Sequence, residues 1–149
     1  MKIFSVLFIL IGIVTTISAQ KTIADNQEKE LVKVPLNNYL QAQATGNSEL
    51  VLKAFYKDAR IMALRSDKIS NLSVEEFAGF FKGKTADDES ERKRRIESID
   101  ISGNAAIAKI TLDYPTIKFT DYMTLLKIDG EWKIVNKSFF AEPKQTRQK

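Results

Sequence analysis

Asp121 interrupts an otherwise apolar, strand-like run, FTDYMTLLKI, where burial would raise a carboxyl's pKa toward that of a working base. Tyr122 follows it directly, and Tyr39, Tyr56 and Tyr114 complete the chain's phenols. A carboxylate with a phenol can move a proton and steady a developing oxyanion. Alternation along a strand sets Asp121 and Tyr122 on opposite faces, so only one of the two can point into a given pocket. The plainer reading has Asp121 capping a bulge or pairing with a lysine across the sheet.

The chain has no histidine and no cysteine, which removes the commonest near-neutral proton shuttle, the thiolate nucleophile and the commonest zinc ligands. Hydrolytic His-Asp chemistry is excluded. The carboxylates of ADDESE lack the ligand order of a calcium loop, so neither metal nor cofactor is expected.

Further along, EWKIVNKSFF alternates Trp132, Ile134, Asn136 and Ser138 on one side, an apolar wall running into a polar mouth. Trp132 reads as core or pocket wall. Lys133, Val135 and Lys137 fall on the other side, facing solvent or a dimer partner. Arg60, beside Asp58, reads as a local ion pair or a holder of an anionic ligand group. Phe77, Phe80 and Phe81 share one helix face and read as core, and the basic run ERKRR, residues 91–95, as a solvated strand start.

The elements that must carry these residues can be read from periodicity. Val32, Leu36, Tyr39, Leu40 and Gln43 form one helical stripe, with Pro35 tolerated in a first turn and Gly46 as a stop. NSELVLKAF predicts a short second helix capped by Asn47 or Ser48, followed by a strand around Arg60–Leu64 and a polar turn. SVEEFAGFFKG holds a capping box, Ser73 with Glu76, and Gly83 closes this third helix. From Arg92 the period becomes two. Gly103-Asn104 and Asp129-Gly130 predict hairpins, and Pro115 breaks the ladder between them. Three helices followed by four long antiparallel segments define an α+β domain, helices on one face of a curved sheet.

At 149 residues the chain is one domain's worth. MKIFSVLFILIGIVTTISAQ has Lys2, an apolar run of about 12 residues and a small residue at Ala19, the pattern of a secretory signal peptide. The expected organisation is a signal peptide over 1–19, a leader or frayed helix start over 20–33, the domain over 34–141 and a flexible basic tail over 142–149. Export to the periplasm or the exterior follows, with no membrane anchor after cleavage. Lys2, Lys144, Arg147 and Lys149 account for the whole net charge of +4, so the domain itself is neutral and no nucleic-acid partner is expected.

YLQAQATGNSELVLKAFYKDARI, RRIESIDISGNAAIAKITLDYP and FTDYMTLLKIDGEWKIVNKSFF, in that order, resemble the nuclear transport factor 2-like superfamily, within it the lumazine-binding branch related to the SnoaL-like cyclases. The resemblance spans Val34 to Phe140 and rests on the TGN bend, the DAR start of the first strand and the DYMTLLKIDGEWKIVNK hairpin. It implies a cystatin-like half-barrel, a cone-shaped curved antiparallel sheet with three N-terminal helices packed on its concave face. It further implies a pocket at the wide end and a homodimer through the sheet.

Three functions are expected, in order. The first is an exported module holding a small aromatic or heterocyclic ligand in an apolar conical pocket, with Tyr39, Tyr56, Arg60, Tyr114, Tyr122, Trp132 and Asn136 as candidate lining. The second is a cofactor-independent isomerase- or dehydratase-like enzyme with Asp121 as base. The third is a dimeric interaction module without a ligand.

Overall fold

The computed structural model describes residues 4–145, with side chains from Asp25 onward. Two compact units divide at Leu31/Val32. The first consists of helix: α1 (Phe4–Thr45) begins there and continues through Pro35 into the second unit. The helix thus begins well before Pro35, and 20–33, expected as a leader or a frayed helix start, is helical throughout. Proline there lacks the N–H that would bond the Leu31 carbonyl, so the interruption is one bond deep at the boundary between the units. Among the described residues no helix is long and apolar enough to cross a membrane.

The second unit holds the end of α1, then α2 (Ser48–Ala54), β1 (Phe55–Arg65), β2 (Lys68–Leu72), α3 (Val74–Ala78) and β3 (Lys93–Ser102). β4 (Ala105–Asp113), β5 (Ile117–Ile128) and β6 (Glu131–Pro143) complete it. The strands form one sheet in the order β2-β1-β6-β5-β4-β3. β3 to β6 pair antiparallel as expected, whereas β1 lies parallel to β6. The polar turn expected after Leu64 is present, and β2, a strand absent from the expected elements, follows it. Its hairpin is closed by Ser66 and Asp67, φ 47° and 61°, a left-handed turn built without glycine and therefore hard to see in the residues.

Local chemistry explains the remaining elements. Asn47 accepts from the Glu49 amide to start α2. The Ser73–Glu76 capping box is reciprocal, with backbone to side-chain distances of 2.8 and 3.2 Å. Yet α3 stops at Ala78, five residues before the expected end at Gly83, so the three phenylalanines do not share a helix face. Asp129 (φ 51°) and Gly130 (φ 85°) close the β5–β6 hairpin, and Gly103 (φ 60°) that of β3–β4. β6 runs to Pro143, and the Lys144 amide donates to Thr116 at 2.8 Å. Residues 142 and 143 thus end strand β6, paired with β5, and 146–149 lie outside the described residues.

Two bulges decide which residues face inward. Ile96 pairs Ile110 but Ser98 pairs Lys109, leaving Glu97 extra and bringing Ile96, Ile99 and Ile101 to one face. Thr124 pairs Asn136 but Leu125 pairs Ile134, leaving Val135 extra. Strand β6 therefore buries Trp132 and Ile134, skips two residues, and then buries Lys137. The core lies between the sheet and the helices, with Val32, Leu36, Tyr39 and Ala42 of α1 meeting Ile110, Met123, Leu125 and Ile134 of the sheet.

Candidate functional site

A cavity of about 370 Å³ opens between the C-terminal end of α1, the segment after α3, and the inner face of the sheet. That is the lower part of the range for small-molecule sites. Two aromatic rows form its walls. Tyr39, Phe77 and Phe81 contribute one, with centroids 6.5 Å apart for Tyr39–Phe77 and 5.3 Å for Phe77–Phe81. Tyr114, Phe119 and Phe139 contribute the other, at 5.9 and 6.1 Å. Phe80, 66% exposed, stands at the mouth.

Between the rows sits a buried ionic cluster. Tyr39 donates its hydroxyl to Asp121 Oδ2 at 2.6 Å, and Lys137 Nζ donates to Asp121 Oδ1 at 2.8 Å. The side chains of Asp121 and Lys137 are 0% and 4% exposed. The ammonium lies 4.0 Å from the Phe139 ring centroid and 5.6 Å from that of Tyr39. Tyr39 and Lys137 border the cavity; Asp121 lies behind them, both oxygens engaged. Burial pushes the Lys137 ammonium's pKa down, opposed by the Asp121 carboxylate. Burial and the neighbouring carboxylate together push the Tyr39 phenol well above its usual value.

A second network braces the rim. Arg94 grips Glu89 through both terminal guanidinium nitrogens, at 2.5 and 2.8 Å. It also donates to the Tyr114 hydroxyl at 3.2 Å and to the Gln43 carbonyl at 3.1 Å. The Arg92 guanidinium lies 4.3 Å from the Tyr114 ring centroid while bonding Asp88 at 2.7 Å. In the ERKRR run Glu91, Lys93 and Arg95 are exposed, as expected of a solvated strand start, whereas Arg92 borders the cavity and Arg94 braces Tyr114. Gly46 (φ +67°) makes the close approach on this side, since a Cβ there would lie 2.6 Å from the Lys84 carbonyl oxygen.

Of the residues singled out in the sequence, Tyr39 and Tyr114 border the cavity and Asp121 backs it. Tyr122 is 54% exposed on the opposite face, beside Lys109. Trp132 is core, and Tyr56 packs half-buried against the core. Arg60 is exposed, and Asp58 pairs with Lys57 instead of with it. Asn136 is half-buried, its amide 4.0 Å from Met62 Sδ. None of these last five lines the cavity. Lys137, placed by alternation on the outer side, is the central correction: the extra residue Val135 turns it inward. The residue spacing carried one signal for this, Phe139 falling in phase with Lys137 rather than with Trp132 and Ile134.

This geometry is that of a known class. Residues 27–140 match the family described as "Putative lumazine-binding", and the chain belongs to it. Among solved structures, a nuclear transport factor 2-like protein of unknown function from Shewanella baltica superposes with a TM-score of 0.72. It is 28% identical, over 79% of this chain and 96% of that one. A second such protein, from Methylobacillus flagellatus, gives 0.66 at 31% identity, over 78% and 93%. An aldolase, FrzH, of Cladobotryum sp is 25% identical over 108 residues, 71% of this chain and 85% of its own. The protein is a nuclear transport factor 2-like α+β domain of the ligand-binding or isomerase-like kind.

Proposed function

We propose that this is an exported protein whose cavity holds a planar small molecule, with an acceptor oxygen of that molecule meeting Lys137 at the cavity floor. The buried Lys137–Asp121–Tyr39 cluster carries the reading. An ammonium has three donors, and Asp121 engages one of them. A ligand carbonyl can accept another, while the two aromatic rows stack on a ring between them. Purification from the native host followed by intact-mass measurement under native and denaturing conditions tests this. A releasable small mass, lost in Lys137→Met but retained in Lys53→Gln, is the expected result; no bound mass and no affinity for planar carbonyl compounds would overturn it.

The similarity to an aldolase favours a second reading, in which the same cluster works on a carbonyl substrate without a cofactor. Because Asp121 is sealed from the cavity, it would act as an anchor, Lys137 would supply the hydrogen bond to an enolate oxygen, and water entering at the cavity mouth would take up and return the alpha proton. In deuterated buffer such a protein exchanges protons alpha to a ligand carbonyl, and Lys137→Met abolishes the exchange. Export rests on the apolar N-terminal run and Ala19, and is checked by sequencing the mature N-terminus, expected at Gln20.

A further inference from the structure

We infer that the ligand is an aromatic acid: a planar body between the aromatic rows and a carboxylate, sulfonate or phosphate at the cationic mouth of the cavity. The inference rests on the reading of the cavity as a small-molecule site and adds the charge class. Five cationic side chains border the cavity, Arg65, Lys82, Lys84, Arg92 and Lys137, and no carboxylate does. Their charges are unequally answered. Asp121 offsets Lys137, Asp88 offsets Arg92, and Asp87 stands 3.7 Å from Lys84 with both side chains largely exposed. Among the described residues Arg65 and Lys82 have no ion-pair partner.

This excess is local, because Lys2 and three residues of the C-terminal tail account for the whole net charge. Arg65 is exposed, yet it borders the cavity. Its guanidinium lies 5.7 Å from the ring centroid of Phe139, the same ring that Lys137 covers at 4.0 Å. A guanidinium held against a cavity wall is placed for an acidic group on a molecule stacked there. Arg65 closes β1 and Lys82 follows α3, so two separate segments supply the uncompensated charges to one opening. Low-dielectric aromatic walls strengthen the field that such charges project inward.

Two fluorescent probes that share an aryl-naphthylamine frame separate the terms: 1-anilinonaphthalene-8-sulfonate and neutral N-phenyl-1-naphthylamine. Both are titrated into the intact folded chain, at low and at physiological salt. The sulfonate is expected to bind about tenfold tighter, the sum of two exposed charge contacts, and to lose most of that margin in salt. The Arg65→Gln/Lys82→Gln double variant should remove the margin and leave the neutral probe unchanged. Lys29→Gln/Lys53→Gln, matched in charge but outside the cavity, should leave both unchanged. Equal binding of the two probes refutes the acid and leaves the cavity reading standing. Binding of neither refutes both, and equal loss in the two double variants shows a general charge effect and refutes the mouth.

Discussion

Removing Asp121 should be costly, and the buried cluster indicates by how much. In Asp121→Leu the Lys137 ammonium, 4% exposed, loses its counter-charge, and the Tyr39 hydroxyl loses its acceptor. Breaking a buried pair from one side costs about 3–5 kcal/mol, because the remaining charge stays in a low dielectric. For a chain of this size that is a fall in Tm of roughly 10 °C. Replacing all the polar members together, Tyr39→Phe, Asp121→Leu and Lys137→Met, removes the desolvation penalty with the attraction. It should leave stability within about 1–2 kcal/mol of the parent. Urea denaturation of the parent, Asp121→Leu, Lys137→Met and the triple variant measures all four. The reasoning fails if either single variant loses less than about 1 kcal/mol, or if the triple variant is as unstable as Asp121→Leu. A near-neutral triple variant that has also lost its ligand would show that the cluster is kept for function at no gain in stability.

Further outcomes follow from other parts of the site. Arg94→Ala removes a bidentate bond to Glu89 and the support of Tyr114, and should cost about 2 kcal/mol in thermal or chemical denaturation. Gly46→Ala forces a left-handed φ on alanine and a Cβ 2.6 Å from the Lys84 oxygen, so a loss of more than about 1 kcal/mol is expected by the same measurement. Tyr39 and Tyr114 have raised pKa values, from burial first in both. Their stabilisation is full below the unfolded phenol value of about 10 and is lost as pH rises through their folded values. Since Lys137 is shifted down and adds stability as pH rises toward the unfolded lysine value of about 10.4, mostly below the tyrosine window, the readout is tyrosinate absorbance. Fewer than four phenols should ionise near pH 10 before the chain unfolds, and four ionising together would refute the burial argument. We propose that two copies pair through the outer sheet face, as the family resemblance implies, with exposed Ile107 and Tyr122, 60% and 54%, as the surface available for it. Light scattering should report a doubled mass that Ile107→Lys halves.

Much of the scaffold was legible because local rules governed it. Asp129-Gly130 needed left-handed angles and the Ser73–Glu76 box needed a first turn, whatever lay around them. β2 was not legible, since Ser66-Asp67 adopts those angles without the glycine that would announce it. The end of α3 was missed because Gly79 already caps it, and the spacing of Phe77, Phe80 and Phe81 continues a helical pattern past the place where the backbone leaves it.

At the site, the residues by themselves established the available chemistry: phenols, carboxylates and cations, without imidazole or thiol. They also marked Asp121 as a carboxylate inside an apolar strand, for which a cross-sheet lysine was one expected partner. Which lysine, and facing what, depended on pairing. Strict alternation sends Lys137 outward; the register of β6 against β5 inserts Val135 and reverses the alternation, which only the assembled sheet can decide. The other partner, Tyr39, lies 82 residues away and meets Asp121 because α1 packs across the sheet's inner face. Sequence determined what could react, and tertiary structure determined what is buried together, since burial turns an ordinary lysine and tyrosine into a coupled pair at a cavity floor.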